Sequence, residues 1–170
     1  MATHFNIAGE LTQELLAAGA SKNVSKISLT NTQKVSKCKV DLYIEKALTG
    51  KFYLLKGVEL PIGATLIYEA PVSIKTSVNE FGLYIKLTDG ASFTLTGSID
   101  PAASTTVPGS GTAFLSEVSV GDDIVVSGET KTVSAIASDT SLTVSSAFSD
   151  NANDTSPDCN PTALVDVIIN

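Results

Sequence analysis

The chain has 170 residues, of which 43% are hydrophobic and only 17% are charged, and its formal net charge is −7 at pH 7. This length suits one domain, or one domain with a small insertion. Serine and threonine fill many of the polar positions, and such a composition favours β structure. The sequence has no arginine. Arginine is the residue that most often makes bidentate contacts with phosphates and bases, so its absence argues against sequence-specific nucleic-acid binding.

The acidic charge is concentrated in the second half of the chain. Residues 1–98 contain ten lysines and eight carboxylates, whereas residues 99–170 contain Lys131 and ten carboxylates. A solvated acidic surface of this kind repels nucleic acid and anionic membranes. The sequence has neither a run of 18 apolar residues nor a basic and apolar leader, so we expect no membrane span and no secretory signal.

Residues 1–23 precede the clear β pattern and are predicted to form an N-terminal arm. Leu11 and Leu15 lie one helical turn apart and Gly19 is a helix-stop signal, so "ELTQELLAAG" fits one or two helical turns or an extended segment. We expect this arm to be mobile and to carry His4, the single histidine of the sequence.

Residues 24–100 show an alternation of period two, which is typical of strands with one buried face. In "KCKVDLYIE" the residues predicted to face the core are Cys38, Val40, Leu42 and Ile44. Asp89-Gly90 predicts a two-residue hairpin turn, with "ASFTLTGSI" as the return strand. About seven short strands, with a turn signal every 8–12 residues, predict an all-β fold: an antiparallel β-sandwich of jelly-roll or immunoglobulin-like type.

A second β pattern follows at residues 107–148 and predicts a small β-barrel-like subdomain between two linkers, residues 101–106 and 149–162. A lone strand is not stable unless it pairs, so residues 163–170 are expected to return to the main sandwich of residues 24–100. The subdomain is then an insertion. The alternative is two consecutive domains, with "ALVDVII" completing the second. The predicted core of the subdomain consists of Val118, Val120, Ile124, Val126, Val133, Ile136, Leu142 and Val144.

The sequence offers no catalytic set, and neither enzymatic activity nor a cofactor is predicted. A single histidine, His4, excludes a histidine-based metal site and a convincing Ser-His-Asp set. Cys38 lies on an apolar strand face, and we expect Cys38 and Cys159 to be free thiols unless the fold brings them together. Asp122 and Asp123 are interpreted as a solvated turn rather than an acid–base pair.

One linker contains oxygen ligands of the kind that Ca²⁺ prefers: Asp150, Asn151, Asn153, Asp154 and Asp158. Their spacing misses the EF-hand loop and no bidentate glutamate follows, so the segment is interpreted as a turn-rich linker and no metal site is predicted. Tyr43 and Tyr84 lie opposite the apolar faces of their strands. They either anchor a neighbouring subunit or make cross-strand contacts.

Three stretches, "VSKISLTNTQKVSKCKVDLYI", "FYLLKGVELPIGATLIYEAPVSI" and "LTDGASFTLTGS", together with the final "VDVIIN", resemble small virion structural proteins of tailed bacteriophages, especially marine and cyanobacterial phages. The segment "GSGTAFLSEVSVGDDIVVSGETKTVSAIASDTSLTV" is similar to a short β-module that recurs in such phages. The resemblance covers roughly residues 15–148 and the last ten residues, and it rests on strand patterns and turns.

The resemblance implies a non-enzymatic, multi-copy part of the virion, assembled in the host cytoplasm. We expect an accessory or decoration subunit on the capsid exterior or at the neck. The implied partners are further copies of the chain, as a homo-oligomer, and other capsid, neck or tail proteins; neither nucleic acid nor membrane is an expected partner. The alternative is a host-surface or glycan-binding module of a tail fibre or adhesin.

Overall fold

The computed structural model describes residues 2–20, 23–46, 49–75, 81–101, 103–149, 153 and 156–170, with the backbone alone for residues 70–75. The chain divides into two compact units. Unit 1 comprises residues 1–33, 37–89 and 163–170, and unit 2 comprises residues 34–36 and 90–162.

Strands make up most of the described chain. In order they are β1 (Thr3–Ala8), β2 (Thr12–Leu16), β3 (Asn23–Asn31), β4 (Cys38–Lys46), β5 (Gly50–Leu60), β6 (Thr65–Lys75), β7 (Gly82–Thr88), β8 (Phe93–Thr94), β9 (Ser98–Ile99), β10 (Thr106–Ser110), β11 (Asp123–Val126), β12 (Glu129–Ser138), β13 (Ser141–Val144), β14 (Asp158–Asn160) and β15 (Leu164–Ile169). A single short helix, α1 (Phe114–Glu117), is found among the described residues.

Unit 1 is a jelly roll. One of its sheets has the strand order β1-β15-β3-β6 and the other has the order β2-β7-β4-β5. Every neighbouring pair is antiparallel. Counting β15 as the eighth strand of the unit, the sheets contain strands 1, 8, 3 and 6 and strands 2, 7, 4 and 5, which is the order of an eight-stranded jelly roll. The predicted β-sandwich is therefore confirmed.

The core of unit 1 lies between these two sheets, because alternate residues of each strand point inward. Both sheets contribute, and the buried aliphatic side chains include Ile7, Leu15, Val24, Ile27, Leu29, Val40, Leu42, Leu83, Ile85, Leu87, Val165, Val167 and Ile169. β15 pairs with β1 on one side and with β3 on the other, so the last strand of the chain is an interior strand of its sheet.

The main segment of unit 2, residues 90–162, is inserted between β7 and β15, and residues 34–36, between β3 and β4, also belong to this unit. Its strands form one sheet with the order β8-β14-β11-β12-β13-β10-β9. The two ends of this sheet, β8 and β9, are separated in sequence by residues 95–97 alone, so they lie at most about 15 Å apart. A flat sheet of this width would place them about 29 Å apart. The sheet must therefore curl, as in a small barrel.

The curled sheet of unit 2 encloses a core of its own, formed by Leu95, Ile99, Val107, Phe114, Val118, Ile124, Val126, Val133, Leu142, Val144, Phe148 and Cys159. Of the predicted core residues, Ile136 is only partly buried and Val120 is 55% exposed. The prediction for Val120 was wrong because this residue lies in the turn before β11, where period-two alternation does not apply.

The predicted N-terminal arm is also corrected by the structure. Residues 3–8 and 12–16 form β1 and β2, and Ile7, Leu15 and Leu16 enter the core of unit 1. His4 lies in β1, opposite Ile168. The pairing partner of β1 is about 160 residues away in the sequence, so no local pattern could reveal the pairing.

The predicted boundaries of the insertion were too narrow. Asp89-Gly90 is not a hairpin turn: the chain leaves unit 1 here, and the Asp89 carboxylate accepts a hydrogen bond of 2.7 Å from the N–H of Ala163, where the chain returns. The expected return strand instead supplies β8 and β9 to unit 2. The expected linker of residues 149–162 contains β14, which pairs with β11 and β8.

Candidate functional site

A row of tyrosines crosses the outer face of the β2-β7-β4-β5 sheet. The strand register places Tyr43 directly opposite Tyr84 on one side and Tyr53 on the other, and Glu14 opposite Tyr84. Tyr84, Tyr43 and Tyr53, which we call the tyrosine row, therefore occupy three adjacent strands, with Glu14 on the fourth. Cross-strand pairs of this type stabilise a sheet.

Tyr43 is the centre of the row and is almost completely buried, although it lies on the outer face. Its ring stacks on Tyr84 with a centroid distance of 5.8 Å and an interplanar angle of 17°. The Tyr53 ring lies at 5.5 Å and is tilted by 53°. The Lys51 ammonium lies 4.5 Å from the Tyr43 ring centroid and donates a hydrogen bond of 3.2 Å to its hydroxyl. Neighbouring side chains, rather than the core, thus cover this tyrosine.

Tyr84 lies over a glycine of its own strand. A Cβ atom at Gly82 would stand 2.7 Å from Tyr84 Cε2 and 2.9 Å from its hydroxyl oxygen, so only glycine allows the ring to approach the strand at this position. The hydroxyl donates a hydrogen bond of 2.9 Å to the Glu14 carboxylate, and this bond is the main cause of the raised pKa of Tyr84. Tyr84 is therefore a neutral phenol at pH 7.

An open cleft of about 670 Å³ lies beside the row. We call it the tyrosine cleft, and its lining residues are Thr12, Ala18, Gly19, Tyr43, Glu45, Lys46, Lys51 and Tyr84. This volume lies within the range of roughly 300–1,000 Å³ that is typical of small-ligand sites. The hydrogen bond to Tyr43 is the main cause of the raised pKa of Lys51, so Lys51 is a cation rather than a base at pH 7. These groups are suited to binding a ligand and not to transferring protons.

The edge of this sheet is irregular next to the row. β5 is paired on one side only, and its register against β4 shifts between Val40 and Leu42 and again between Leu42 and Tyr43. Gly57 in this stretch has φ +59 and its N–H donates to the Asp41 carboxylate at 2.6 Å. Bulges of this kind bend an edge strand and hinder its pairing with a second sheet edge.

Of the two predicted roles of Tyr43 and Tyr84, the cross-strand contact is confirmed, and the contact with a neighbouring subunit stays a prediction. The two tyrosines do make a cross-strand contact, and Tyr84 remains accessible in the cleft. Sequence reasoning missed Tyr53 and Lys51, which join the same cluster. Alternation in "KFYLLKG" could have shown that these two residues share a face, and the register is regular from Lys46–Gly50 to Tyr43–Tyr53, so a short connection between β4 and β5 could have predicted the alignment of Tyr53 with Tyr43.

The two cysteines are free and buried, as expected. Burial, followed by the charge of Asp89, raises the pKa of the Cys38 thiol to about 11. Burial, followed by the charge of Asp122, raises the pKa of the Cys159 thiol to about 12. Thiols with such pKa values are poor nucleophiles at neutral pH, so both side chains act as core residues.

Asp122 does not lie in a solvated turn, as the sequence suggested, but is fully buried in unit 2. One carboxylate oxygen accepts the N–H of Ser119 at 2.7 Å, and the other accepts the N–H of Thr162 at 2.9 Å. A buried carboxylate is stable only when hydrogen-bonded in this way. Asp122 therefore ties the turn before β11 to the segment that leads out of the unit, and its role is structural.

Of the possible Ca²⁺ ligands, Asp150, Asn151 and Asp154 lie outside the described residues. Asn153 is exposed, and the Asp158 carboxylate accepts a hydrogen bond of 2.8 Å from the Thr94 hydroxyl. Among the residues that the structure describes, no group of three or more His, Cys, Asp or Glu side chains is placed to hold a metal ion. In the same part of the chain, no helix is long and apolar enough to span a membrane.

The comparisons with known proteins give few matches. No protein-family model matches the sequence, and no curated protein matches it. Among solved structures, a chain from the structure of infectious bursal disease virus, Gx strain, aligns over 99% of this chain and 32% of its own length, with 9% identity and a TM-score of 0.25. A TM-score this low does not define a shared fold, and the likeness supports no conclusion about function.

Proposed function

We propose that the protein is a non-enzymatic, multi-copy virion structural protein of a tailed bacteriophage, an accessory or decoration subunit on the capsid exterior or at the neck. The observation that carries this proposal is the strand order of unit 1. The jelly roll is an architecture of viral capsid domains, and also of lectins and cupins. The sequence resemblance to phage virion proteins favours the first of these uses, since a fold alone does not define a function.

The distribution of charge supports a division of labour between the units. The segments that form unit 1 contain nine lysines and nine carboxylates, whereas those of unit 2 contain two lysines and nine carboxylates. Copies of a neutral unit can pack side by side without net repulsion, and an acidic unit stays solvated. In this proposal unit 1 makes the contacts with neighbouring subunits, and unit 2 remains in contact with solvent.

A subunit contact on unit 1 is proposed at β5 and the turn after it. Phe52 in the edge strand β5 is 49% exposed, and Tyr53, which points to the opposite face of the same strand, is 41% exposed. Ile62 in the turn is 52% exposed. Aromatic residues are enriched at protein interfaces. Phe52 also stacks edge-on against Phe81 with a centroid distance of 5.8 Å, so part of this surface is already ordered before any partner binds.

The experiment that tests the proposal has two parts. Mass spectrometry of purified particles should detect the chain in many copies per particle, and the purified protein should bind particles that lack it. Phe52→Ser should weaken this binding or the self-association measured by light scattering. Leu115→Ser, at a residue of unit 2 that is 54% exposed, is the matched control and should have no effect. Absence of the chain from particles, together with a monomeric state at high concentration, would refute the proposal.

A second candidate function is a host-surface or glycan-binding module. One observation favours it, namely the tyrosine cleft, which offers an accessible aromatic ring next to charged hydrogen-bonding groups. This function is compatible with a place in the virion, because an exterior subunit can carry a binding site.

A further inference from the structure

We propose that the tyrosine cleft binds a short saccharide that carries a carboxylate group, such as a uronic acid oligomer. The inference rests on the second candidate function and names its ligand class and contact residues. It does not depend on a place in the virion, because the cleft lies wholly within unit 1.

Tyr84 provides the platform on which a sugar ring can lie. The Cε2 and Cζ atoms of its ring lie close to Gly82, and the ring also lines the cleft. The faces of aromatic rings carry partial negative charge, and the C–H groups on one side of a pyranose ring carry partial positive charge. The ring is held in place by its stack on Tyr43 and by its hydrogen bond to Glu14. A preorganised platform of this kind reduces the entropy lost on binding.

Lys51 provides the positive charge that selects a carboxylate, whereas the Lys46 ammonium lies 6.0 Å from the ring centroid of Phe81. The Lys51 ammonium uses one hydrogen bond for the Tyr43 hydroxyl, and an ammonium group has three donors, so further donors remain for a ligand. Lys46 lines the same cleft. Charge-assisted hydrogen bonds from ammonium to carboxylate are about twice as strong as neutral ones.

Glu45 and Thr12 complete the set of polar groups and narrow the ligand class. A carboxylate accepts hydrogen bonds from sugar hydroxyls, and a threonine hydroxyl both donates and accepts. Glu45 lies opposite Lys51 in the register of β4 and β5 and lines the same cleft. Its carboxylate disfavours a densely charged anion such as a phosphate chain, because it would repel such a ligand. Among the residues that the structure describes, six of the eight that line the cleft carry a hydroxyl or a charged group, so a ligand with polar groups can form hydrogen bonds there.

The test is a titration of the purified chain with tetragalacturonate and, in parallel, with the neutral maltotetraose, followed by calorimetry and NMR. Tetragalacturonate should bind, and maltotetraose should bind about tenfold more weakly or not at all. Binding of tetragalacturonate should weaken at high salt, because exposed ion pairs are screened. The NMR shifts should map to the cleft.

Variants identify the contact groups. Tyr84→Ala and Lys51→Met should each weaken binding of tetragalacturonate by about tenfold, which corresponds to about 1.4 kcal/mol. Lys86→Met is the matched control, because Lys86 is exposed on the same strand as Tyr84 but does not line the cleft. It should bind as the unchanged protein does. Circular dichroism of each variant establishes that the fold is retained.

Three outcomes would overturn the inference: no binding of either probe, equal or tighter binding of maltotetraose, or equal losses in Lys51→Met and Lys86→Met. These outcomes are separable from a failure of the virion proposal. Absence of the chain from particles, combined with cleft-specific binding of tetragalacturonate, would refute the virion proposal and leave this inference standing.

Discussion

The two units of this protein are both antiparallel β structures, but they differ in the length of their strands and in their net charge. The strands of unit 1 are 5–11 residues long, and β3, β7 and β15 show alternation of more buried and more exposed side chains. Unit 2 contains strands of two to four residues at several positions and carries the net negative charge of the chain. Unit 1 is therefore specified by pattern along its strands, whereas unit 2 depends on buried anchors in turns and short segments.

The largest expected effect comes from removing the last strand, which belongs to unit 1. Removing residues 163–170 should abolish the fold of unit 1, because β15 is an interior strand and its Val165, Val167 and Ile169 are buried in the core. Circular dichroism and the dispersion of amide NMR signals measure the loss. The control is Ile168→Ala, which alters the solvent-facing side of the same strand and should leave the fold intact. A truncated chain that retains a cooperative thermal transition for unit 1 would contradict this view.

The core of unit 2 can be tested with two neighbouring residues of α1. Phe114 is fully buried in this core, whereas Leu115 is 54% exposed. Phe114→Ala should lower the free energy of unfolding of unit 2 by about 3–5 kcal/mol. Leu115→Ala should change it by no more than about 0.5 kcal/mol. Chemical denaturation of both variants measures the difference, and equal effects would show that α1 is not anchored as described.

Asp122 tests whether a buried polar anchor holds unit 2 together. Replacing it by alanine leaves the N–H groups of Ser119 and Thr162 without their carboxylate acceptor, and the expected loss is about 2–3 kcal/mol of unfolding free energy. Asp122→Asn retains an acceptor oxygen and should lose less. Urea denaturation orders the three proteins. Identical stabilities for the Asp122→Ala variant and the unchanged protein would rule out the anchoring role.

The smallest expected effect concerns an ion pair on unit 2. The pKa of Glu129 is lowered from its ordinary value of 4.5 to about 2, first by the hydrogen bond from Lys131 and then by Ser149. Because the pKa is lower in the folded state, the stabilisation is present above about pH 4.5 and is lost as the pH falls through about 2. Glu129→Gln should therefore lower the melting temperature slightly at pH 7, and the difference should vanish near pH 2. A difference that is independent of pH would argue against this ion pair.

These contrasts also explain how much of the molecule the sequence could predict. Alternation in β3, β4 and β7 correctly predicted the buried faces of unit 1, because a period of two is a local property of long strands. The strand order within the jelly roll and the role of β1 could not be predicted, since β1 pairs with a strand at the other end of the chain. Local patterns could therefore predict a β-sandwich of jelly-roll or immunoglobulin-like type, but not which of the two.

Turn signals misled the prediction where the chain passes between units. Asp89-Gly90 has the composition of a tight hairpin turn. Instead, the Asp89 carboxylate accepts a hydrogen bond from the N–H of Ala163, where the chain returns to unit 1. The short strands β8, β9 and β14 carry too few residues to show periodicity.

In the candidate site, Tyr43 and Tyr84 were recognisable from their outward positions. Their alignment with Tyr53 and Lys51 belongs to the regular register from Lys46–Gly50 to Tyr43–Tyr53, next to the connection between β4 and β5, and a hairpin drawn at that connection would have predicted it.

The most direct test of the two-unit organisation is replacement of residues 90–162 by a short Gly-Ser link. The Asp89 carboxylate and the Ala163 N–H are 2.7 Å apart, so a short link can join them with little strain. We expect the remaining chain to fold as an eight-stranded jelly roll, with a cooperative melting transition and the amide NMR pattern of unit 1 in the full-length protein. A chain that is unfolded after this replacement would show that unit 1 requires unit 2, and would contradict the description of residues 90–162 as an insertion into a self-sufficient jelly roll.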